Sequence, residues 1–404
     1  MRILIADKLG SSGREALAVR GHDVEYHPSL SAEELPAALA EHQPAILVVR
    51  STKVSDASLG ASDSLSLVIR AGAGVNTIDL ENASRRGIFV ANCPGKNAIA
   101  VAELSLGLML ALDRQIPNAV ADGRAGRWEK KKYGAGGGLH GLSLGLVGFG
   151  SIAIEVARRA AAFGMQVQAW TPRLDLARCE AEEVELAGSL DELLSTSDIV
   201  SIHVPYRSAT QHLIGARELG LMKDGAILLN TARGGVVDDR ALLAAVEEGR
   251  IRAGLDVLEE EPSGGSAAFD HPLAKAEGVC LTPHIGASTA QATQAIADEV
   301  LAIVDDFALR GSVRNGVNVQ AERSAAWTLV VRHLDQVGVL AGVLDKLRRE
   351  RLNVQEMQNV VFQGGLAASA TISLEREPSP ELLGELRGQE AVLGVDLRLS
   401  GSDA

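Results

Sequence analysis

Cysteine is scarce in this chain. There are three in 404 residues, Cys93, Cys179 and Cys280, far apart and without a CxxC pair. That spacing argues against a disulfide framework and against a zinc site, and no other metal is expected. No stretch of about 18 apolar residues occurs, so no segment is expected to cross a membrane. Positive charge is in deficit: 39 Lys and Arg against 52 Asp and Glu leave a net charge of −13. Such a chain repels nucleic acid and anionic lipid, so neither is an expected partner. An anionic ligand would need positive side chains gathered locally against that global field. The opening MRILIADKLG has no apolar run leading to a small-residue cleavage site, and the expectation is a cytoplasmic protein.

What is present is hydrophobic patterning sufficient for large cores, with 46% apolar residues. The length suggests two or three domains. RILIAD, AILVVRST and LSLVIRAGAG read as buried strands, with a helix near SGREALAVRG. A long helix follows through AIAVAELSLGLMLALDRQI, and the polar, Gly-rich ADGRAGRWEKKKYGAGGGLHG reads as a connecting loop. From Leu144 a second series begins: LGLVGFG, MQVQAW, DIVSIHV, AILLNTA, AGLDV and VCLTPH. Six short strands alternating with helices predict a doubly wound α/β sheet. The tail differs. WTLVVRHL, NVQEMQNVVFQ, LAASATISL and VLGVDLRL read as strands, with helices in VGVLAGVLDKLRRE and SPELLGELRG. That order, βαββαβ, predicts a small separate α+β domain from about residue 326.

Three segments carry chemistry. In GLVGFGSIA, Gly148 and Gly150 sit between a strand and a helix, with Ala153 in the third position. The glycines allow a tight turn and close approach of a pyrophosphate to the helix N-terminus. In LLNTARGGVVDD, Arg233 follows a buried strand. A guanidinium there can grip a carboxylate with two parallel hydrogen bonds, the alternative being a surface salt bridge. In LTPHIGAST, His284 again lies just past a strand, with Asp256, Glu259, Glu260 and Glu261 in the preceding AGLDVLEEEP. A histidine near pH 7 can give or take a proton, and a neighbouring carboxylate would fix its tautomer and raise its pKa.

With these segments in view, the chain resembles the D-2-hydroxyacid dehydrogenases, in particular the phosphoglycerate dehydrogenase branch with a C-terminal ACT domain. The likeness runs through the first 320 or so residues, in RAGAGVNTIDL, VANCPGKNAIAVAELSLGLMLAL, LVGFGSIA, SDIVSIHVP, MKDGAILLNTARGGVVDD, AGLDVLEEEP and LTPHIGAST. It implies two Rossmann-like domains, a substrate domain from 1–97 and 287–318 and a dinucleotide domain from 98–286, followed by an ACT-like domain at 326–404. It implies Arg233, Glu261 and His284 as catalytic residues. Cofactor contacts would come from Gly148, Gly150, Ser151, Ile152, Thr171, Arg173, Val204, Thr231, Asp256 and Gly286. Ser151 stands where the family usually has Arg or His. Substrate contacts would come from Arg50, Ser51, Ala73, Gly74 and Asn97. On charge grounds alone, Arg50 and Ser51 read equally as a solvated strand end.

The implied activity is oxidation of a 2-hydroxy acid by a nicotinamide cofactor, foremost 3-phosphoglycerate to 3-phosphohydroxypyruvate in serine biosynthesis. One residue type is missing from the dinucleotide pattern. The strand MQVQAW ends in Thr171, Pro172 and Arg173, where an NAD-selective Asp is expected. NAD and NADP both stay open: Arg173 can pair a 2′-phosphate, or can merely cover the adenine. That departure favours a second reading, an NADPH-dependent hydroxypyruvate or glyoxylate reductase. A third is a non-catalytic, cofactor-sensing binding protein. In the tail, His333, Asp335 and Asn353 fall where relatives hold an amino-acid effector, but Asp335 replaces an Asn there. A purely dimerising role is the alternative, and a homodimer or homotetramer is expected.

Overall fold

Short strands that are apolar along their whole length need cover on both faces, and parallel sheets flanked by helices supply it. The computed structural model describes residues 1–172, 176–262, 268–319 and 326–399. The chain divides into two units, Met1–Asn318 and Val319–Ala404.

The first unit contains two all-parallel sheets. β1 (Arg2–Ile5), β2 (Asp23–Tyr26), β3 (Ile46–Val49), β4 (Leu67–Arg70) and β5 (Phe89–Asn92) lie in the order β2-β1-β3-β4-β5. β6 (Ser143–Val147), β7 (Gln166–Trp170), β8 (Glu185–Leu186), β9 (Ile199–Ile202), β10 (Ala226–Asn230), β11 (Ile251–Leu255) and β12 (Val279–Leu281) lie in the order β12-β11-β10-β9-β6-β7-β8. Both orders reverse direction partway, between β1 and β3 and between β6 and β9. Ligands of doubly wound sheets bind beyond the strand carboxyl ends at such points.

The chain leaves the first sheet after β5, builds the second sheet, and then returns. Helix Ala290–Arg310 places Ile296, Ala297, Val300, Ile303 and Val304 in one core cluster with Ile3, Ile5, Leu17, Ile46 and Val48. The Thr289 hydroxyl caps this helix by accepting the Ala292 N–H at 3.1 Å, and Gly311, at φ 65°, ends it. Helices Ala98–Asp113 and Ser151–Ala162 pack together with the second sheet through Ala102, Leu106, Met109, Ala153, Val156 and Leu229.

Some elements differ from the sequence expectation. The second sheet has seven strands among the described residues, because the two-residue β8 pairs on its edge. The short edge strands β2 and β5 were not anticipated; DVEY reads as polar surface, and FVAN is too short to stand out. The helix expected to run to Ile116 breaks at Gln115, whose φ is 49°. The stretch read as a connecting loop contains the end of helix Ile116–Arg124 and the short helix Lys130–Tyr133.

In the second unit β13 (Trp327–Leu334), β14 (Val354–Val361), β15 (Ala367–Leu374) and β16 (Val392–Leu399) form an antiparallel sheet in the order β14-β15-β13-β16. Helices Val339–Arg349 and Pro380–Arg387 bring Val343, Leu347, Leu382 and Leu386 onto Leu329, Val331, Ala370 and Ile372. The expected βαββαβ order is present and gives a ferredoxin-like sheet. Among the described residues no helix is long and apolar enough to cross a membrane.

The returning helix should be essential to the first core. Ile303→Ala is expected to cost about 2–5 kcal/mol, read as a lower midpoint in urea unfolding. An unchanged midpoint would mean that this helix does not complete the core.

Candidate active site

β11 ends at Leu255, and the next residue, Asp256, is a carboxylate only 2% exposed. Its Oδ1 accepts the Thr282 hydroxyl at 2.6 Å and the Ile285 N–H at 2.8 Å. Its Oδ2 accepts the Gly286 N–H at 2.8 Å. These bonds fix the turn after β12 and hold His284 at φ 51°, a left-handed conformation unusual for a residue with a β-carbon. Sequence similarity assigns Asp256 and Gly286 to the cofactor. In the structure they also bond each other and brace the histidine turn.

His284 Nδ1 lies 2.7 Å from Glu261 Oε2, and Glu261 Oε1 accepts the Leu258 N–H at 3.3 Å. The histidine side chain is half exposed. Its pKa is raised above the usual 6.5, because the Glu261 hydrogen bond outweighs burial and the repulsion of Arg233. Burial pushes Glu261 up, but the hydrogen bond and charge of His284 pull it net below the ordinary carboxylate range. With Nδ1–H donated to the carboxylate, Nε2 is left for proton transfer.

Positive charge gathers opposite this pair. Arg233 donates from Nη1 to the Ala232 carbonyl at 2.6 Å, and its Nη2 lies 2.8 Å from where a β-carbon on Gly74 would stand. On the other side of the 72–74 turn lies Arg70, a residue the sequence reading missed. Its guanidinium occupies the space that a side chain on Gly72 would fill. Arg70 Nε is buried without a partner. Burial first, then the charges of Arg233 and Arg50, push Arg70 down to about 10. Among the described residues none of Arg50, Arg70 and Arg233 pairs with a carboxylate within 4.0 Å. The N–H groups of Ala73 and Gly74 likewise have no acceptor among the described residues. Arg70 was missed because it reads as the tail of an apolar strand.

Arg50 and Ser51 sit at the reversal point of the first sheet, held by a second unanticipated residue. Asp7 Oδ2 accepts the N–H groups of Arg50, Ser51 and Thr52 at 2.7, 3.0 and 3.0 Å, and Asp7 Oδ1 takes the Ser51 hydroxyl at 3.0 Å. Burial raises the Asp7 pKa, but these donors lower it overall. The Ser51 hydroxyl is therefore committed to Asp7, whereas the Arg50 side chain is available.

The second reversal point holds the glycine turn. Gly148 has φ 93°, and a β-carbon there would meet the His203 carbonyl and Val204 Cγ1 at 2.8 Å. Only glycine lets the turn lie so close to β9. The helix opening at Ser151 and Ile152 has Gly150 as its N-cap and no side-chain cap, so its first N–H groups remain for a ligand. These features fit a dinucleotide pyrophosphate. Val204 and Thr231 are buried nearby, and the Thr231 hydroxyl shares a hydrogen bond with Ser105 at 3.0 Å. Thr171 directly follows β7, whose Trp170 carbonyl accepts the Gly148 N–H at 2.7 Å. Arg173 lies outside the described residues. Asn97, half-buried, flanks the start of helix Ala98–Asp113 without capping it through its side chain.

Of the three effector candidates, His333 and Asp335 share one end of the antiparallel sheet, where the Asp335 N–H donates to the Leu366 carbonyl at 3.3 Å. His333 is 2% exposed, with Nδ1 bonded to the Leu334 carbonyl at 2.7 Å and Nε2 to Asn359 Oδ1 at 3.2 Å. The register sets His333 level with Val361 through Ala368, and Val354 level with Trp327 through Leu374. Asn353 therefore stands at the opposite end of the sheet, roughly 20 Å away at about 3.3 Å per residue. It borders a cleft of about 360 Å³ with Arg348 and Arg351.

Comparison with known proteins gives these features a context. Residues 106–286 match the family model for the NAD binding domain of D-isomer specific 2-hydroxyacid dehydrogenase. D-3-phosphoglycerate dehydrogenase of Methanocaldococcus jannaschii is 40% identical over 319 residues, 78% of this chain and 59% of its own. The chain thus spans about three fifths of that relative's length. Hydroxypyruvate reductase of Thermotoga maritima is 44% identical over 258 residues, 63% of this chain and 82% of its own. An acyclic imino acid reductase solved with NADPH and D-Arg superposes with a TM-score of 0.68 at 27% identity, over 79% of this chain and 100% of its own.

The histidine pair carries a pH signature. A raised His284 pKa means that its ion pair stabilises the fold fully below 6.5 and stops doing so as pH rises through the raised value. Glu261, lowered from 4.5, contributes above that value and ceases to as pH falls through the lowered one. His284 followed by NMR should titrate above 6.5, and in Glu261→Gln its midpoint should fall. A midpoint that does not move in the variant would remove Glu261 as the cause.

Proposed function

The chain belongs to the D-isomer-specific 2-hydroxyacid dehydrogenases, and from that premise we propose that it oxidises 3-phosphoglycerate to 3-phosphohydroxypyruvate, the reaction that feeds serine biosynthesis. One observation carries the choice of substrate: Arg70 and Arg233 stand at the 72–74 turn, the charge of Arg50 reaches Arg70, and among the described residues no carboxylate pairs with any of the three. A simple 2-hydroxy acid has one negative group and needs one guanidinium. A phosphorylated one brings a second, doubly charged group that answers the other two.

In this reading Arg233 and the N–H groups of Ala73 and Gly74 hold the substrate carboxylate. Arg50 and Arg70 hold the phosphate. His284 Nε2 takes the hydroxyl proton, and Glu261 stabilises the imidazolium that results. Gly148, Gly150, Ser151 and Ile152 would hold the cofactor pyrophosphate, with Thr171 at the adenosine ribose and Val204, Thr231 and Asp256 towards the nicotinamide. When bound, the nicotinamide supplies the acceptor for the electron pair of the C2–H bond. Run in reverse, protonated His284 is the acid. Residues 1–97 and 287–318 would form the substrate domain and 98–286 the cofactor domain. The βαββαβ order of the second unit supports an ACT-like domain at 326–404, where the ring of His333, engaged by Leu334 and Asn359, argues against effector capture by that residue; the alternative role is assembly of a homodimer or homotetramer.

A second reading, reduction of hydroxypyruvate or glyoxylate with NADPH, is favoured by Thr171. Without a carboxylate at that position nothing there repels a 2′-phosphate. The Glu261–His284 pair, with a proton-accepting nitrogen free, argues against a non-catalytic sensor.

The two readings separate in one steady-state experiment. Arg70→Gln should lower kcat/KM for 3-phosphoglycerate by about tenfold to a hundredfold, the worth of a hydrogen bond to a charged group. It should change hydroxypyruvate reduction only severalfold. Equal losses on both substrates would make Arg70 a structural residue and favour the unphosphorylated substrate. Thr171→Asp should raise the NAD-to-NADP ratio of kcat/KM by about tenfold or more. A ratio that stays put would mean that this position does not read the 2′ group.

A further inference from the structure

Two loops carry the proposed chemistry, 231–236 with Arg233 and 257–262 with Glu261. They touch directly: a β-carbon on Gly234 would stand 1.8 Å from the Leu258 carbonyl oxygen and 3.0 Å from the Glu259 nitrogen. Past this contact, Glu259 and Asp239 bond reciprocally. The Glu259 N–H donates to Asp239 Oδ2 at 3.0 Å, and the Asp239 N–H donates to Glu259 Oε1 at 3.2 Å.

His212 reaches both loops at once. Its backbone N–H donates to the Gly235 carbonyl at 2.8 Å, and its Nε2 lies 2.9 Å from Glu259 Oε1. The segment that follows stays alongside, with the Ile214 N–H donating to Val236 at 3.1 Å and the Asp238 N–H to Ile214 at 3.0 Å. To make these contacts His212 adopts φ 48°, a conformation that residues with a β-carbon avoid. Such backbone persists only where its surroundings over-determine it. As an isolated contact, a side chain 42% exposed would contribute little. Its significance lies in what it joins.

We infer that His212 is a positioning residue: it holds Glu261, and through it His284, in register with Arg233, acting through Glu259 and the Gly235 carbonyl. It bonds none of the residues proposed to hold substrate or cofactor. The inference rests on the assignment of Arg233, Glu261 and His284 as the reacting set. The ionisable groups around His212 are Glu259, Asp238 with Oδ2 at 4.0 Å, and beyond them Asp239, which His271 Nε2 approaches at 3.9 Å.

The test compares wild type, His212→Ala, His212→Gln, Glu259→Ala and Glu261→Gln over a pH series, in the direction of hydroxy-acid oxidation. Displacing a reacting group by a fraction of an ångström is costly, so His212→Ala should lower kcat by about tenfold. The KM for the nicotinamide cofactor should stay within about twofold, because the glycine turn is untouched. The acidic limb of the kcat profile should move to lower pH, in the same direction as in Glu261→Gln, because a misplaced Glu261 no longer raises the His284 pKa. His212→Gln, whose amide can still donate to Glu259, should recover most of kcat. A wild-type kcat and limb in His212→Ala, beside a shifted limb in Glu261→Gln, overturns the role of His212 alone. An unmoved limb in Glu261→Gln instead overturns the underlying catalytic pair. Should His212→Ala fail to fold, Glu259→Ala must show the same kcat loss and limb shift; wild-type behaviour there overturns the inference.

Discussion

The three hydrogen bonds converging on the Asp256 carboxylate are the constraint on which the site depends. A buried carboxylate at a strand end is costly unless donors surround it, and each bond to a charged group contributes about 1.5–3 kcal/mol. Thr282, Ile285 and Gly286 supply those donors from one turn, so the charge can be buried only when that turn has one shape. The shape presents His284 at a positive φ with Nδ1 turned to Glu261. The same device recurs elsewhere. Asp7 collects three N–H groups from 50–52, and Asp238 accepts those of Arg240 and Ala241 at the start of helix Asp239–Glu247. Asp7 and Asp256 just past strands, and Asp238 at a helix start, each tie together N–H groups of a neighbouring segment.

This use of acidic residues has an electrostatic result. The Asp7 carboxylate is spent on backbone donors and that of Glu261 on His284, while among the described residues no carboxylate pairs with the guanidiniums of Arg50, Arg70 and Arg233. The chain carries −13 overall, yet the cleft is positive. Low-dielectric walls around such a cluster strengthen its local field. A cluster of this kind favours an anionic ligand, because its charges are not occupied by carboxylates of the described residues.

Much of the candidate site was legible in the sequence because its residues follow strands directly. Arg233, Asp256 and His284 each stand within a few residues of an apolar run, bounded by Gly or Pro, where parallel sheets place ligands. Glu261 could be singled out from its acidic neighbours only through resemblance, since spacing alone left four candidates. Arg70 and Asp7 were not legible because their function depends on neighbours across the sheet: Arg70 against Val49, Asp7 against 50–52. A pairing between strands has no local signature in either strand. The polar edge strand β2 and the helices in the 116–133 stretch failed for another reason: their apolar faces are too sparse to set a period. His333 and Asn353 show the converse. Each matched its local pattern, and the antiparallel register set them apart.

The return of helix Ala290–Arg310 to the first sheet bears on how the chain acquires its shape. Ile3 and Ile5 share a core with Ile296, Val300 and Ile303, although nearly the whole length of the unit lies between them. During synthesis, which adds about 5–20 residues per second, the first sheet emerges first but keeps one apolar face bare until the last. The second sheet, whose core draws on residues between Ala102 and Cys280, can close before that helix leaves the ribosome. The nascent N-terminal sheet thus carries an exposed apolar face for a period of many seconds. That face offers a surface to a holding chaperone and a starting point for premature aggregation.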